Sequence, residues 1–338
     1  MHTSNQVSFW LHPTRLRLLV QWGFLTWCIV LGVQFGLFVK HFTSYGQAPV
    51  YARPPGVEGF LPIGALVSLK HWVVNGGLDP VHPAALVLFL TFIGLAVLTK
   101  NSFCSWLCPV GTLEDGLWRI GRRLTGRTLT VWPWLDRLLR TTKYLLLLFF
   151  LKLIVVDMPA AALQGFLSSP YWAVADVRML HFFTAPSTLT LGVVAALAAL
   201  SLFYRNAWCR YLCPYGALLG VLSLLSPLKV RRQAESCIDC RGCTSGCPGR
   251  IRVHEKTTVR HVECTGCLTC VANCPVPATL EMRPPFWRQP LPGWGFALAV
   301  VLIFAAGVGT GILGGHWESS LSYRDYQFLI PNADRLGF

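Results

Sequence analysis

Cys237, Cys240, Cys243 and Cys247, followed by Pro248, recur 27 residues later as Cys264, Cys267, Cys270 and Cys274, followed by Pro275. This C-x2-C-x2-C-x3-C-P run, present twice, is the spacing of bacterial two-cluster ferredoxins. Three thiolates on one tight loop reach three corners of a [4Fe–4S] cube, and the fourth cysteine of each run ligates the other cluster. The pattern therefore predicts one cluster on Cys237, Cys240, Cys243 and Cys274, and a second on Cys264, Cys267, Cys270 and Cys247. Structural zinc prefers separated cysteine pairs with a longer loop between them, which four cysteines packed into eleven residues do not provide. Disulfides are disfavoured in a reducing compartment. The surrounding stretch, 229–285, has little hydrophobic periodicity. It reads as a small α+β domain whose clusters supply much of its folding energy.

The rest of the chain is apolar. Hydrophobic residues make up 53% and charged residues only 13%, against ~25% charged in an ordinary soluble domain. A helix crosses a ~30 Å hydrocarbon core with about 20 apolar residues. Five stretches, near 18–39, 83–100, 143–158, 187–204 and 293–315, meet or approach that length. The first lacks a small-residue cleavage site and reads as a retained span rather than a signal peptide. With a cytoplasmic N-terminus, twenty-two Lys and Arg fall on cytoplasmic segments and six on periplasmic ones, with Lys152 inside a span. That is the positive-inside asymmetry of a multi-pass protein of the bacterial inner membrane. It accounts for the net charge of +14 without nucleic acid as a partner.

A longer repeat of 105 residues matches Phe103–Gly111 to Trp208–Gly216, with Lys100 matching Arg205. Each copy follows two spans and ends in C-x3-C-P-x-G, so the membrane part is a repeated two-helix unit. At i and i+4 on a helix, two cysteines share a face. Cys104, Cys108, Cys209 and Cys213 could thus surround a further Fe–S or other redox centre, form a redox dithiol, or organise docking of the ferredoxin segment. The stretches behind the motifs, 110–123 and 215–228, read as helices at the membrane surface. Trp106, Trp118, Trp208 and Tyr211 read as interface aromatics. Glu114 and Asp115 follow only the first motif, either as a proton acceptor for a quinol or as a solvated helix face. Lys152 either faces a functional interior or reaches toward the bilayer edge with Asp157. His71, His82, His181 and His316 fall near the periplasmic edge, either to bind quinol, accept its protons or hold a b-type haem, or simply as scattered interfacial histidines, and no c-type haem motif occurs. Of the 13 cysteines only Cys28 lies outside the four motifs, as an apolar filler.

Paired C-x3-C-P motifs at the ends of even-numbered spans, followed by the doubled ferredoxin motif, resemble the membrane polyferredoxins of the NapH, NosR and CcoG type over residues 15–280, with the NapH-like quinol dehydrogenase membrane subunit nearest. The resemblance implies a quinol dehydrogenase-like electron-transfer subunit. Its partners would be membrane lipid, quinone or quinol, and a redox protein: a cytoplasmic ferredoxin, or a periplasmic reductase or cytochrome. An alternative is a maturation factor supplying electrons for the biogenesis of a metalloenzyme such as a copper enzyme or oxidase. A fifth span after the ferredoxin segment departs from the plain NapH pattern. The expected fold is an all-α membrane domain of about five spans with an inserted α+β ferredoxin domain. The parts are 1–228, 229–285 and 286–338, the last carrying the fifth span and a periplasmic tail.

Overall fold

The structure, a computed structural model, describes residues 12–126, 128–285 and 289–336. The expected boundary after residue 285 falls against Phe286–Arg288, which lie outside the described residues. The chain is mostly helical. Its main helices are α1 (Pro13–Thr43), α2 (Pro62–Asn75), α3 (Pro83–Thr99), α4 (Pro109–Thr125), α5 (Pro133–Leu151), α6 (Ala160–Leu167), α7 (Pro170–Ala173), α8 (Ala175–Thr184), α9 (Thr188–Phe203), α10 (Ala207–Tyr211) and α11 (Pro214–Leu222). Then come α12 (Gly242–Ser245), α13 (Thr269–Ala272), α14 (Gly293–Leu313) and α15 (Tyr323–Leu329). Proline opens seven of these helices, because its fixed φ and missing N–H cost nothing in the first turn.

By length and composition α1, of 31 residues, and α14, of 21, can cross a membrane. Two bent pairs qualify if each is one span. One runs Pro133–Asp157 into Ala160–Leu167 with a bend of 107°, the other Ala175–Thr184 into Thr188–Phe203 with a bend of 71°. Pro159 and Pro186 stand at these breaks, where proline removes a ladder N–H and turns its predecessor extended. α3 has 17 residues, about 25 Å of helix, and falls short by itself.

The chain packs as two units, with dividing points after Leu25, Thr91, Leu145, Ala196 and Ala305, each inside a helix. One unit comprises 26–91, 146–196 and 306–338. In it Phe35, Phe38 and Phe42 pack with Val174, Val177 and Ile330. Leu61, Val67, Ile154, Leu163 and Leu167 surround Trp172. The unit also buries a charged cluster. Arg53 donates to Asp176 and Glu58 at 2.7 Å, and His82 lies 3.2 Å from Glu58.

The other unit comprises 1–25, 92–145 and 197–305. It holds all twelve motif cysteines. Its two strands, β1 (Lys229–Arg232) and β2 (Leu280–Arg283), pair antiparallel with Lys229 opposite Arg283 and Arg232 opposite Leu280. They tie the start of the ferredoxin-like segment to its end. Val230, Leu280 and Met282 turn inward from the ladder.

Candidate functional site

The 27-residue repeat is repeated in backbone geometry. Asp239 and Gly266, equivalent positions, have φ of 50° and 62°; Arg241 and Leu268, the next equivalent pair, have 58° and 56°. Left-handed residues on either side of the second cysteine curl each loop tightly, so that successive thiols turn toward one centre instead of alternating. Arg241 and Leu268 then start the one-turn helices α12 and α13, which carry Cys243 and Cys270.

Two cavities result. Cys237, Cys240 and Cys243 line the first together with Cys274 from the second motif, beside Arg232 and Thr279. Cys264, Cys267 and Cys270 line the second together with Cys247 from the first motif, beside Gly249 and Gly266. Among the described residues no three His, Cys, Asp or Glu side chains close on a point as a single ion would need. A tetrahedral zinc holds thiolates ~2.3 Å from one centre. Thiols spread around a void suit a polynuclear cluster instead.

The cavities differ in surroundings. The first is near the surface, with Cys240 exposed and Ile238 65% exposed. The second is walled by protein. Ser105 Oγ donates to the Thr265 carbonyl at 2.6 Å, and the Trp106 indole to the Gly266 carbonyl at 3.2 Å. Burial pushes the Cys247 thiol up to about 12 and raises Cys264 and Cys270 as well. Cys267 is also buried, yet Arg17 holds it below the ordinary thiol value. Such thiols bind metal only by giving up protons, so loading couples to local charge.

The first C-x3-C-P motif packs against the loop that lines this cavity, through Ser105 and Trp106. Cys104 lies in a π-helical turn, Phe103–Leu107, and Cys209 in α10. Such turns recur at functional sites. Cys108 and Cys213 are extended residues that cap the following helices α4 and α11, with Pro109 and Pro214 in the first turn. The cysteines of a pair thus do not share one continuous helix, contrary to the i, i+4 expectation. The second starts a new helix, and the Gly216 N–H donates to Cys213 Sγ at 3.3 Å. A Cβ at Gly111 would lie 2.6 Å from the Cys104 carbonyl oxygen, so the glycine of C-P-x-G permits the turn. Cys104 is within electrostatic reach of Cys108 and Cys213, and Cys209 of Cys108 and Cys213, so the repeat brings the four thiols together.

The acid pair is buried, which removes the solvated-face reading. Glu114 accepts the Trp208 and Cys209 N–H groups at 2.7 and 3.1 Å, and the Ser201 hydroxyl at 3.2 Å. Asp115 faces Arg17, Arg119 and Arg205 at 3.4, 3.0 and 3.5 Å. Trp106 and Trp118 are buried rather than interfacial; Arg205 stacks 4.1 Å over Trp118. Trp208 and Tyr211 are half-buried. Lys152 is exposed and pairs with Asp157 at 2.5 Å, away from any functional interior. Both ring nitrogens of His82 are engaged, by Glu58 and Arg53 on one side and the Trp172 carbonyl on the other, leaving none for haem iron. His71 bonds the Gly77 carbonyl, and His181 pairs with Asp334.

Sequence reasoning passed over three cations beside the second cavity: Arg17, Lys100 and Arg205. The Lys100–Arg205 match in the longer repeat was the available signal.

This arrangement is that of a membrane iron–sulfur electron-transfer protein, and the comparisons agree. The family described as a 4Fe-4S binding domain matches residues 81–128 and 185–233, one match on each C-x3-C-P motif. A 4Fe-4S dicluster domain matches residues 229–275. The chain belongs to the membrane polyferredoxin family. It is 46% identical to YccM of Escherichia coli (strain K12), named for candidate electron transport, over 97% of this chain and 93% of YccM. The ferredoxin-type protein NapH of the same strain is 24% identical over 75% of this chain and 83% of NapH. The regulatory protein NosR of Pseudomonas aeruginosa is 29% identical over 55% of this chain and 25% of NosR. No solved structure matches the chain.

Proposed function

We propose that this chain moves electrons between the quinone/quinol pool and a partner redox protein through two [4Fe–4S] clusters. Cys237, Cys240, Cys243 and Cys274 would hold one, and Cys264, Cys267, Cys270 and Cys247 the other. The observation that carries this reading is the crossing of motifs, three thiols of each run meeting the fourth thiol of the other run around a separate cavity. When bound, the clusters supply one-electron carriers that split the two-electron quinol couple. The exposed Cys240 side offers a partner access, while Trp106 and Ser105 keep water from the inner set. Cys104, Cys108, Cys209 and Cys213 form a further thiol site on the membrane side, placed to link the quinone to the inner set. Glu114 and Asp115, with their acceptor capacity already committed, hold this site together rather than take quinol protons.

The charge count supports five spans in the inner membrane, with α3, short at 17 residues, as the second. The N-terminus and 229–285 lie in the cytoplasm, and α15 in the periplasm. The test is iron and sulfide content, with EPR, on anaerobically purified protein. About eight irons per chain are expected from the eight ferredoxin cysteines. A quinol analogue should bleach the visible absorbance, and a quinone should restore it. Changing Cys104, Cys108, Cys209 and Cys213 together to Ser shows whether the membrane site adds iron. Well-folded protein with no iron would refute the reading.

A further inference from the structure

Lys100 is fully buried, and its Nζ has no hydrogen-bond partner. Among the described residues it makes no ion pair. An uncompensated buried ammonium is costly, so its place needs a cause. Lys100 ends the α3 segment in a left-handed conformation, φ 63°, with its N–H held by Ser226 Oγ at 3.0 Å. Its stem lies under the inner cysteine loop. A Cβ added at Gly266 would come 3.3 Å from Lys100 Cβ. The ionisable groups in electrostatic reach of Lys100 include Cys264, His261 and another cation, Lys229.

Its repeat mate serves the same cavity. Arg205 donates to the Gly246 carbonyl at 3.2 Å, next to Cys247, and lies in electrostatic reach of Cys267. Arg17 donates to Thr269 Oγ1 at 3.4 Å, between Cys267 and Cys270. Arg17, Arg119 and Arg205 share one carboxylate, Asp115, so positive charge is left over beside the inner thiols. The outer set has Arg232 along its wall, and its other nearby arginine, Arg241, is exposed and paired with Asp239.

We infer that Lys100, with its repeat equivalent Arg205, is the counter-cation of the inner cluster and raises that cluster's reduction potential selectively. The inference rests on the cluster reading above. A cluster on four thiolates is anionic; reduction adds one electron and one negative charge, with no bond made or broken. A fixed buried cation favours the more negative state, and net charge is one of the determinants of cluster potential. Lys100 is a positioning residue, acting through the cluster's field rather than on a substrate.

The test is an EPR-monitored redox titration of the intact, cluster-loaded protein, with dithionite as reductant. In Lys100→Met one of two midpoint potentials should fall, the reduction equilibrium weakening about tenfold, which is about 59 mV for one electron. The other potential should stay. Lys100→Arg should restore the first. Arg232→Met should move the other potential instead, identifying the centres. Arg205→Gln should lower the same potential as Lys100→Met, and it carries the test should Lys100→Met fail to fold. Two clusters with unchanged potentials, or both shifting equally, overturn the inference and leave the cluster reading standing. Wild-type protein without two cluster signals overturns both.

Discussion

At the scale of single residues, the unit with the cysteines depends on side chains whose partners are far away in sequence. Glu114 follows the first C-x3-C-P motif, yet its carboxylate caps α10, the helix of the second. Glu114→Ala leaves the Trp208 and Cys209 N–H groups buried without acceptors, at about 1–3 kcal/mol each. Glu114→Gln keeps one acceptor and should lose roughly half as much. Thermal unfolding in detergent ranks the two, and faster alkylation of Cys209 in the Ala variant would report the lost cap. Wild-type stability in Glu114→Ala would contradict the capping role. In the other unit, burial alone would lower the pKa of His82, but the hydrogen bond and charge of Glu58 raise it above the ordinary 6.5. A raised value in the folded state means His82 contributes stability fully below pH 6.5 and loses it as pH climbs through the raised value. The unfolding midpoint should therefore drop with rising pH over that window, and His82→Gln should flatten the profile. The sequence shows which residues are chemically able. Their spending on caps and buried ion pairs, as with Glu114 and His82, depends on contacts 94 and 24 residues away that no local pattern encodes.

At the scale of elements, the helices follow their punctuation. Pro109 and Pro214 start new helices just behind the second cysteine of each pair, and Pro159 and Pro186 break the two bent pairs. The proline positions were legible in the sequence. Their effect on the cysteine pairs was not, because i, i+4 spacing suggests one helix face unless the second cysteine is taken as an N-cap. Glycines at close approaches were equally hidden. On α4, a Cβ at Gly121 would meet the Leu202 carbonyl oxygen at 1.9 Å, whereas one at Gly116 would only touch the Trp22 ring at 3.5 Å. Ala normally favours a helix over Gly by up to about 1 kcal/mol, but overpacking costs about 1–3 kcal/mol. Gly116→Ala should thus be neutral to stabilising, and Gly121→Ala destabilising because backbone, not a flexible side chain, blocks it. Parallel melting curves decide; equal midpoints for the two variants would show that α4 and α9 can separate cheaply. The same packing keeps Glu114 within reach of Ser201, so Gly121→Ala should also loosen Cys209.

At the scale of the whole molecule, the two repeats do different work. The 105-residue repeat carries the two C-x3-C-P motifs, and the 27-residue repeat carries the eight ferredoxin-type cysteines. Both were plain in the sequence. What a repeat cannot show is how its copies meet another element, which is why Lys100 and Arg205 emerged only from the fold. The crossing of the ferredoxin motifs makes the sharpest test. If each cavity is served by both runs, damage in one run must appear in the cluster named for the other. Cys274→Ser, in the second run, should degrade the outer centre beside Cys237, Cys240 and Cys243 while the inner one keeps its potential. Cys247→Ser, in the first run, should do the reverse. If Arg232→Met and Lys100→Met shift the outer and inner potentials as proposed, each surviving signal can be assigned by its response in the double variant. A survivor in Cys274→Ser that still responds to Lys100→Met is the inner centre, as crossing requires. A survivor that responds to Arg232→Met instead would mean that each run serves its own cluster, and the loops would have to pair differently from the cavities that their left-handed residues now shape.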